Sequence, residues 1–161
     1  MATVRIRGID QSSDDRLNEM LSLCHDAKDL SLAAFDTAED EALARFFTVS
    51  AESFLETISL IETMIENRDG QATGEGTLVG AADRLFTFVK AAAAKDSAKT
   101  VVDEYLQSLN KMLANFKVAL AEGRLQKSER EPLLERLTLH ELQWEHLQQH
   151  RDDPESSVQS R

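Results

Sequence analysis

The chain has one cysteine, two prolines and six glycines in 161 residues. A lone Cys24 excludes an internal disulfide and a four-cysteine zinc site. Few breakers over this length mean few turns and long elements, and the abundance of Ala, Leu, Glu, Lys and Arg makes the composition helical. No apolar run approaches membrane-spanning length. Met1 to Arg7 lacks the apolar core of a signal peptide, so a cytoplasmic protein is expected.

Positive charge is also scarce. Lys and Arg number 18 against 29 Asp and Glu, for a net charge of −11. Such a chain repels phosphate backbones and anionic lipid heads, so neither nucleic acid nor membrane is expected as a partner. The imbalance is concentrated in residues 1–76, with 16 acids against 6 bases, whereas residues 77–127 carry 8 bases against 5 acids. A basic middle helix beside acidic neighbours of one bundle accounts for this. No aromatic residues interleave the lysines as a nucleic-acid face would require.

Chemistry-bearing motifs are missing as well. Gly70, Gly74 and Gly76 cluster, but no Lys-Ser or Lys-Thr pair follows and no strand precedes, so the stretch reads as an exposed hinge. There is no Gly-x-Ser-x-Gly element. The residues three before each histidine are Ser22, Leu137, Gln143 and Leu147, which removes the Glu-x-x-His pattern of di-iron bundles. Glu52/Glu56 and Glu62/Glu66 are spaced for one face but sit off the apolar stripe. His25 and His140 are followed by Asp26 and Glu141, so a phosphotransfer bundle rests on fold analogy alone.

What the chain does have is periodicity. Ala44, Phe47, Ala51, Phe54, Ile58, Ile61 and Ile65 recur at steps of three and four, the spacing of one helix face, widened by Phe46, Ser50, Leu60 and Met64. Ala98, Val102, Tyr105, Leu109, Met112, Phe116 and Ala119 repeat the pattern, as do Leu17, Met20, Leu21, Cys24 and Ala27. Leu78, Ala82, Leu85, Val89 and Ala92 predict a further helix over 77–94, separated by a turn at 94–98. Leu133, Leu137, His140, Trp144 and Leu147 form the face of a last helix. Capping boxes are expected at Ser12/Asp15, Thr37/Asp40 and Ser128/Glu131, with Gly70 and Gly123 as C-terminal caps.

These elements predict an all-α protein, an elongated antiparallel four- to five-helix bundle. Residues 1–11 form a short extended arm, because Val4 and Ile6 alternate with Arg5 and Arg7. Residues 12–151 form a single bundle domain, and 152–161 a disordered tail. The regular stripes also suit a homodimer.

The expected function is a non-enzymatic, acidic protein-binding module: an adaptor, regulator or small chaperone whose partner is another protein, possibly with a basic surface. Candidate partner-binding residues are Val4, Ile6, His140 and Trp144. No catalytic or cofactor-binding residue and no cofactor is expected. The alternative is a helical metal or ligand sensor. His146 and His150, four apart on one helix face, are its weak metal candidates, since no other element supplies ligands.

Overall fold

The computed structural model describes residues 2–38, 40–70, 72 and 98–152. The described residues form four helices and no strand: α1 (Ala2–Thr37), α2 (Glu41–Asn67), α3 (Ala98–Glu122) and α4 (Lys127–Asp152). The expected hinge at 71–76, apart from Ala72, the helix at 77–94 and the tail beyond Asp152 lie outside the described residues.

The helices form a four-cornered bundle in which α1 touches α2 and α3, and α4 touches α2 and α3. Each of these neighbours is antiparallel. Ser13 in the first third of α1 meets Gly123 just past the end of α3, and Asp103 early in α3 pairs with Arg151 late in α4. The diagonal partners α2 and α3 therefore run in the same direction. At about 1.5 Å per residue, α2 is about 40 Å long.

The stripes lie where their period requires. Phe47, Ala51, Phe54, Ile58, Ile61 and Ile65 of α2 are buried, as are Val102, Tyr105, Leu109, Met112, Phe116 and Ala119 of α3. Leu17, Met20, Leu21, Cys24 and Ala27 present the matching face of α1. Phe47 and Tyr105 meet across the diagonal, edge to face, with ring centroids 4.9 Å apart. Tyr105 is fully buried, so its hydroxyl needs a partner. It lies 3.0 Å from Ser31 Oγ, which itself donates to the Ala27 carbonyl, so the phenol is the donor. Burial pushes the Tyr105 pKa up.

The helix ends correct several expectations. Residues 3–9 are not an extended arm, because α1 is continuous from Ala2 and passes through Ser12 without a break. A helix satisfies its own backbone groups, whereas a lone strand would need an edge to pair with, and four alternating residues do not outweigh that. Ser12 therefore caps no helix start; the hydroxyl of its neighbour Ser13 donates to Gly123 O at 2.8 Å, tying α1 to the end of α3.

Thr37 ends α1 rather than opening α2, its hydroxyl donating back to Ala34 O. The cap of α2 is Asp40, whose carboxylate accepts from Ala42 N at 2.8 Å. At α4, Glu129 rather than Glu131 reaches back, accepting from Gln126 N. The helix therefore starts at Lys127, two residues earlier than Ser128 capping implies.

The glycines also work differently from expectation. At the end of α2, Gly70 N donates to Ile65 O and Asp69 N to Glu66 O, a Schellman closure. The left-handed residue of this closure is Asp69 (φ 56°), not Gly70. After α3 it is Arg124 (φ 50°), not Gly123. Both glycines serve close approach instead. A Cβ on Gly70 would lie 3.1 Å from Asp14 Oδ2, and one on Gly123 would lie 3.1 Å from Ala119 O.

Candidate functional site

The densest polar arrangement lies between α2 and α4. Ser53 and Thr57 are one turn apart on α2, beside the stripe residues Phe54 and Ile58. Arg136 and His140 are one turn apart on α4, so two pairs of equal spacing face each other. Arg136 Nη2 donates to Ser53 O at 2.6 Å and to Ser53 Oγ at 2.9 Å, and its Nε donates to Thr57 Oγ1 at 2.9 Å. Its Nη1 reaches Glu56 Oε2 at 3.2 Å.

Thr57 Oγ1 lies 2.8 Å from His140 Nε2 and donates to Ser53 O. A hydroxyl has one proton to give and two lone pairs to receive. With that proton on Ser53 O, the arrangement closes when both Arg136 Nε and His140 Nε2 donate to Thr57. This leaves His140 Nδ1 as an unprotonated acceptor, and it has no hydrogen-bond partner of good geometry.

His140 is 2% exposed and stacks on Phe54 with centroids 4.0 Å apart. Burial, reinforced by the Arg136 charge and opposed by Gln143, lowers its pKa to about 4. At neutral pH the ring is uncharged. It joins two helices and presents nothing to solvent, so it is not a partner-facing residue. Cys24 is buried, and desolvation raises its pKa despite the opposing Arg136 charge, so its thiol is neither exposed nor activated.

Trp144 is half-buried, and its Nε1 donates to Leu106 O on α3 at 2.8 Å, so its polar edge is spent inside the bundle. His146 is exposed and stacks on Phe46, centroids 6.5 Å apart. Among the described residues no group of three or more His, Cys, Asp or Glu side chains could hold a metal, and His146 and His150 gain no third ligand there. The side chains of Val4 and Ile6 lie outside the described residues.

Arg68, at the end of α2, ties three helices. It pairs with Asp14 of α1 at 3.2 Å and with both oxygens of Glu129 of α4 at 2.8 and 3.2 Å. A cleft of about 460 Å³ opens beside it, lined among others by Leu60, Met64, Gln126 and Pro132. Two carboxylates already hold the Arg68 cation, so the cleft offers no free positive charge to an anion.

The outer surface of α4 is different in kind. Leu134, Leu139 and Leu142 are 44%, 37% and 57% exposed, pointing away from the face that carries Leu133, Leu137, His140 and Leu147. Glu131, Glu135 and Glu145 lie among them, all exposed. Sequence reading found the inner face of this helix and missed the outer one. The signal was present: α4 has leucines on both sides, which a helix with one partner face does not need. No helix among the described residues is long and apolar enough to cross a membrane.

A family model described as "Domain of unknown function (DUF2383)" matches residues 13–122, which span most of α1, all of α2 and all of α3. No curated protein and no solved structure matches the chain.

Proposed function

The chain belongs to the DUF2383 family. We propose, from its surface, that it is a non-enzymatic protein-binding module, an adaptor, regulator or small chaperone of the cytoplasm. One observation carries this reading: α4 packs Leu133, Leu137 and Leu147 inward and leaves Leu134, Leu139 and Leu142 in solvent across its outer half. Three large apolar side chains exposed on the outer half of one helix offer apolar area that a partner would cover with a gain in free energy. The buried polar groups between α2 and α4 support the same reading. They are engaged with one another, and the histidine among them is neutral and inaccessible.

The experiment is a tagged capture from the native cell, comparing the wild type with Leu134→Ser/Leu142→Ser. A stoichiometric protein partner retained by the wild type and lost by the variant supports the module. Identical capture by both, or recovery of the tagged chain alone, overturns it.

A further inference from the structure

Resting on the reading of α4 as the docking face, we infer that its occupant is a basic amphipathic helix. Positions 131, 135, 138, 142 and 145 follow one another at steps of four and three along the middle of the outer face, with Leu134 and Leu139 on its two flanks, about 140° apart. Glu131, Glu135 and Glu145 therefore lie among Leu134, Leu139 and Leu142 rather than behind them.

Of the bases of α4, only Lys127 pairs with an acid of this face, and Arg130 has no ion-pair partner among the described residues. Arg136 turns to α2, and Arg151 is held by Asp103 and Asp152. Lys127 approaches Glu131 at 3.6 Å in the first turn. Glu135 and Glu145 have no ion-pair partner among the described residues.

A helix that carries Lys or Arg among the leucines of its contact face meets both demands, covering the leucines and setting bases against the acids. A second copy of α4 meets only the first. A two-fold contact sets the same carboxylates against each other, in a chain whose net charge is already −11. From Leu134 to Leu142 is about 12 Å along the axis, so the partner helix needs about three turns. A face of three leucines supports a short-lived, salt-sensitive complex.

The probe is a synthetic Leu/Lys amphipathic peptide of about 18 residues, long enough for several turns, with a Leu/Glu twin as control. The labelled peptides are titrated with the full chain, and binding is read by fluorescence anisotropy. The Lys peptide binds the wild type and the Glu twin does not. Leu134→Ser/Leu142→Ser weakens binding at least tenfold, with an unchanged melting curve to show that the bundle is intact. Glu135→Gln/Glu145→Gln keeps the leucines, weakens binding several-fold and flattens its salt dependence.

Equal binding to the wild type and either variant, or no binding, overturns the inference. So does a wild-type dimer in sedimentation that the leucine variant abolishes, which assigns the face to a second copy. If the peptide fails while cellular capture still depends on Leu134 and Leu142, the basic-helix inference falls and the docking face stands. If capture does not depend on them, both fall.

Discussion

Thr57 of α2 and His140 of α4 share a hydrogen bond of 2.8 Å in the interior of the bundle, and Arg136 donates to the same hydroxyl from one turn before His140. Seating α4 on α2 thus involves a cation, an imidazole and two hydroxyls, in addition to apolar side chains. The predictions below follow from that arrangement and from the helix ends.

Removing Arg136 leaves Thr57 Oγ1, Ser53 Oγ and Ser53 O each short of a donor in a site with little water. Arg136→Ala is expected to cost about 2–4 kcal/mol, because the groups left behind keep their desolvation penalty. Glu56→Ala removes only the solvent-facing partner, 71% exposed, and is expected to cost less than about 0.5 kcal/mol. Urea unfolding of the two variants checks the ordering.

Two buried groups give opposite pH dependences. His140 has its pKa lowered to about 4, so its contribution is complete above its ordinary value near 6.5 and is lost as pH falls towards 4. Burial, reinforced by Asp29, pushes the Asp26 pKa up to about 6. Its neutral form is favoured in the fold, so its contribution is present below the ordinary value near 4 and is lost as pH rises through 6. Asp26→Asn is therefore expected to stabilise the protein at pH 7 and to have little effect at pH 4. His140→Gln is expected to flatten the loss of stability between pH 6.5 and 4. Denaturant midpoints measured across pH, each variant against the wild type, check both signs.

Arg68 is held by two carboxylates from two other helices, and all three side chains are mostly shielded. Arg68→Ala is expected to cost about 2 kcal/mol, since it leaves Asp14 and Glu129 facing each other without a cation. Arg45 pairs with Glu41 on an open surface, so Arg45→Ala serves as the control with no measurable loss. Thermal melts at low and high salt separate the two, because only exposed pairs are strongly screened.

The helix ends give a pair of opposite signs. Asp69 occupies the left-handed region that glycine accepts without a Cβ clash, so Asp69→Gly is expected to stabilise by about 0.5 kcal/mol. Gly123 lacks a positive φ, yet a Cβ there would lie 3.1 Å from the Ala119 carbonyl and 3.4 Å from Arg16 Cβ. Gly123→Ala is expected to destabilise by about 1 kcal/mol as the added methyl crowds the Ala119 carbonyl and the Leu125 side chain at the end of α3. Melting temperatures of both variants test the assignment.

The helices and their buried faces were legible because burial repeats with the helical period, as in the run from Phe47 to Ile65. The helix ends were less legible. A glycine after a helix reads as a left-handed cap, and no local pattern shows that Asp69 takes that conformation while Gly70 makes room for Asp14. The α2–α4 polar site was hidden for a related reason. Ser53 and Thr57 are compatible with either side of a helix, and Arg136 reads as a solvated charge until α2 is known to lie opposite. Ser50, a hydroxyl on the flank of the apolar stripe, did imply a partner across the core, but that partner is Tyr105 of α3 and not the α2–α4 site. The exposed leucines of α4 belong to a helix that is apolar on two sides, and one period cannot say which side faces inward.

Trp144 is the only tryptophan in the chain, and its indole edge rests on the Leu106 carbonyl of the neighbouring helix. The protein therefore carries an intrinsic optical reporter at the seam between α3 and α4. Emission from this ring reads the seating of α4 alone, without a label. A ligand that settles on the outer leucines leaves the emission nearly in place, whereas one that lifts the helix off the bundle moves it to the red.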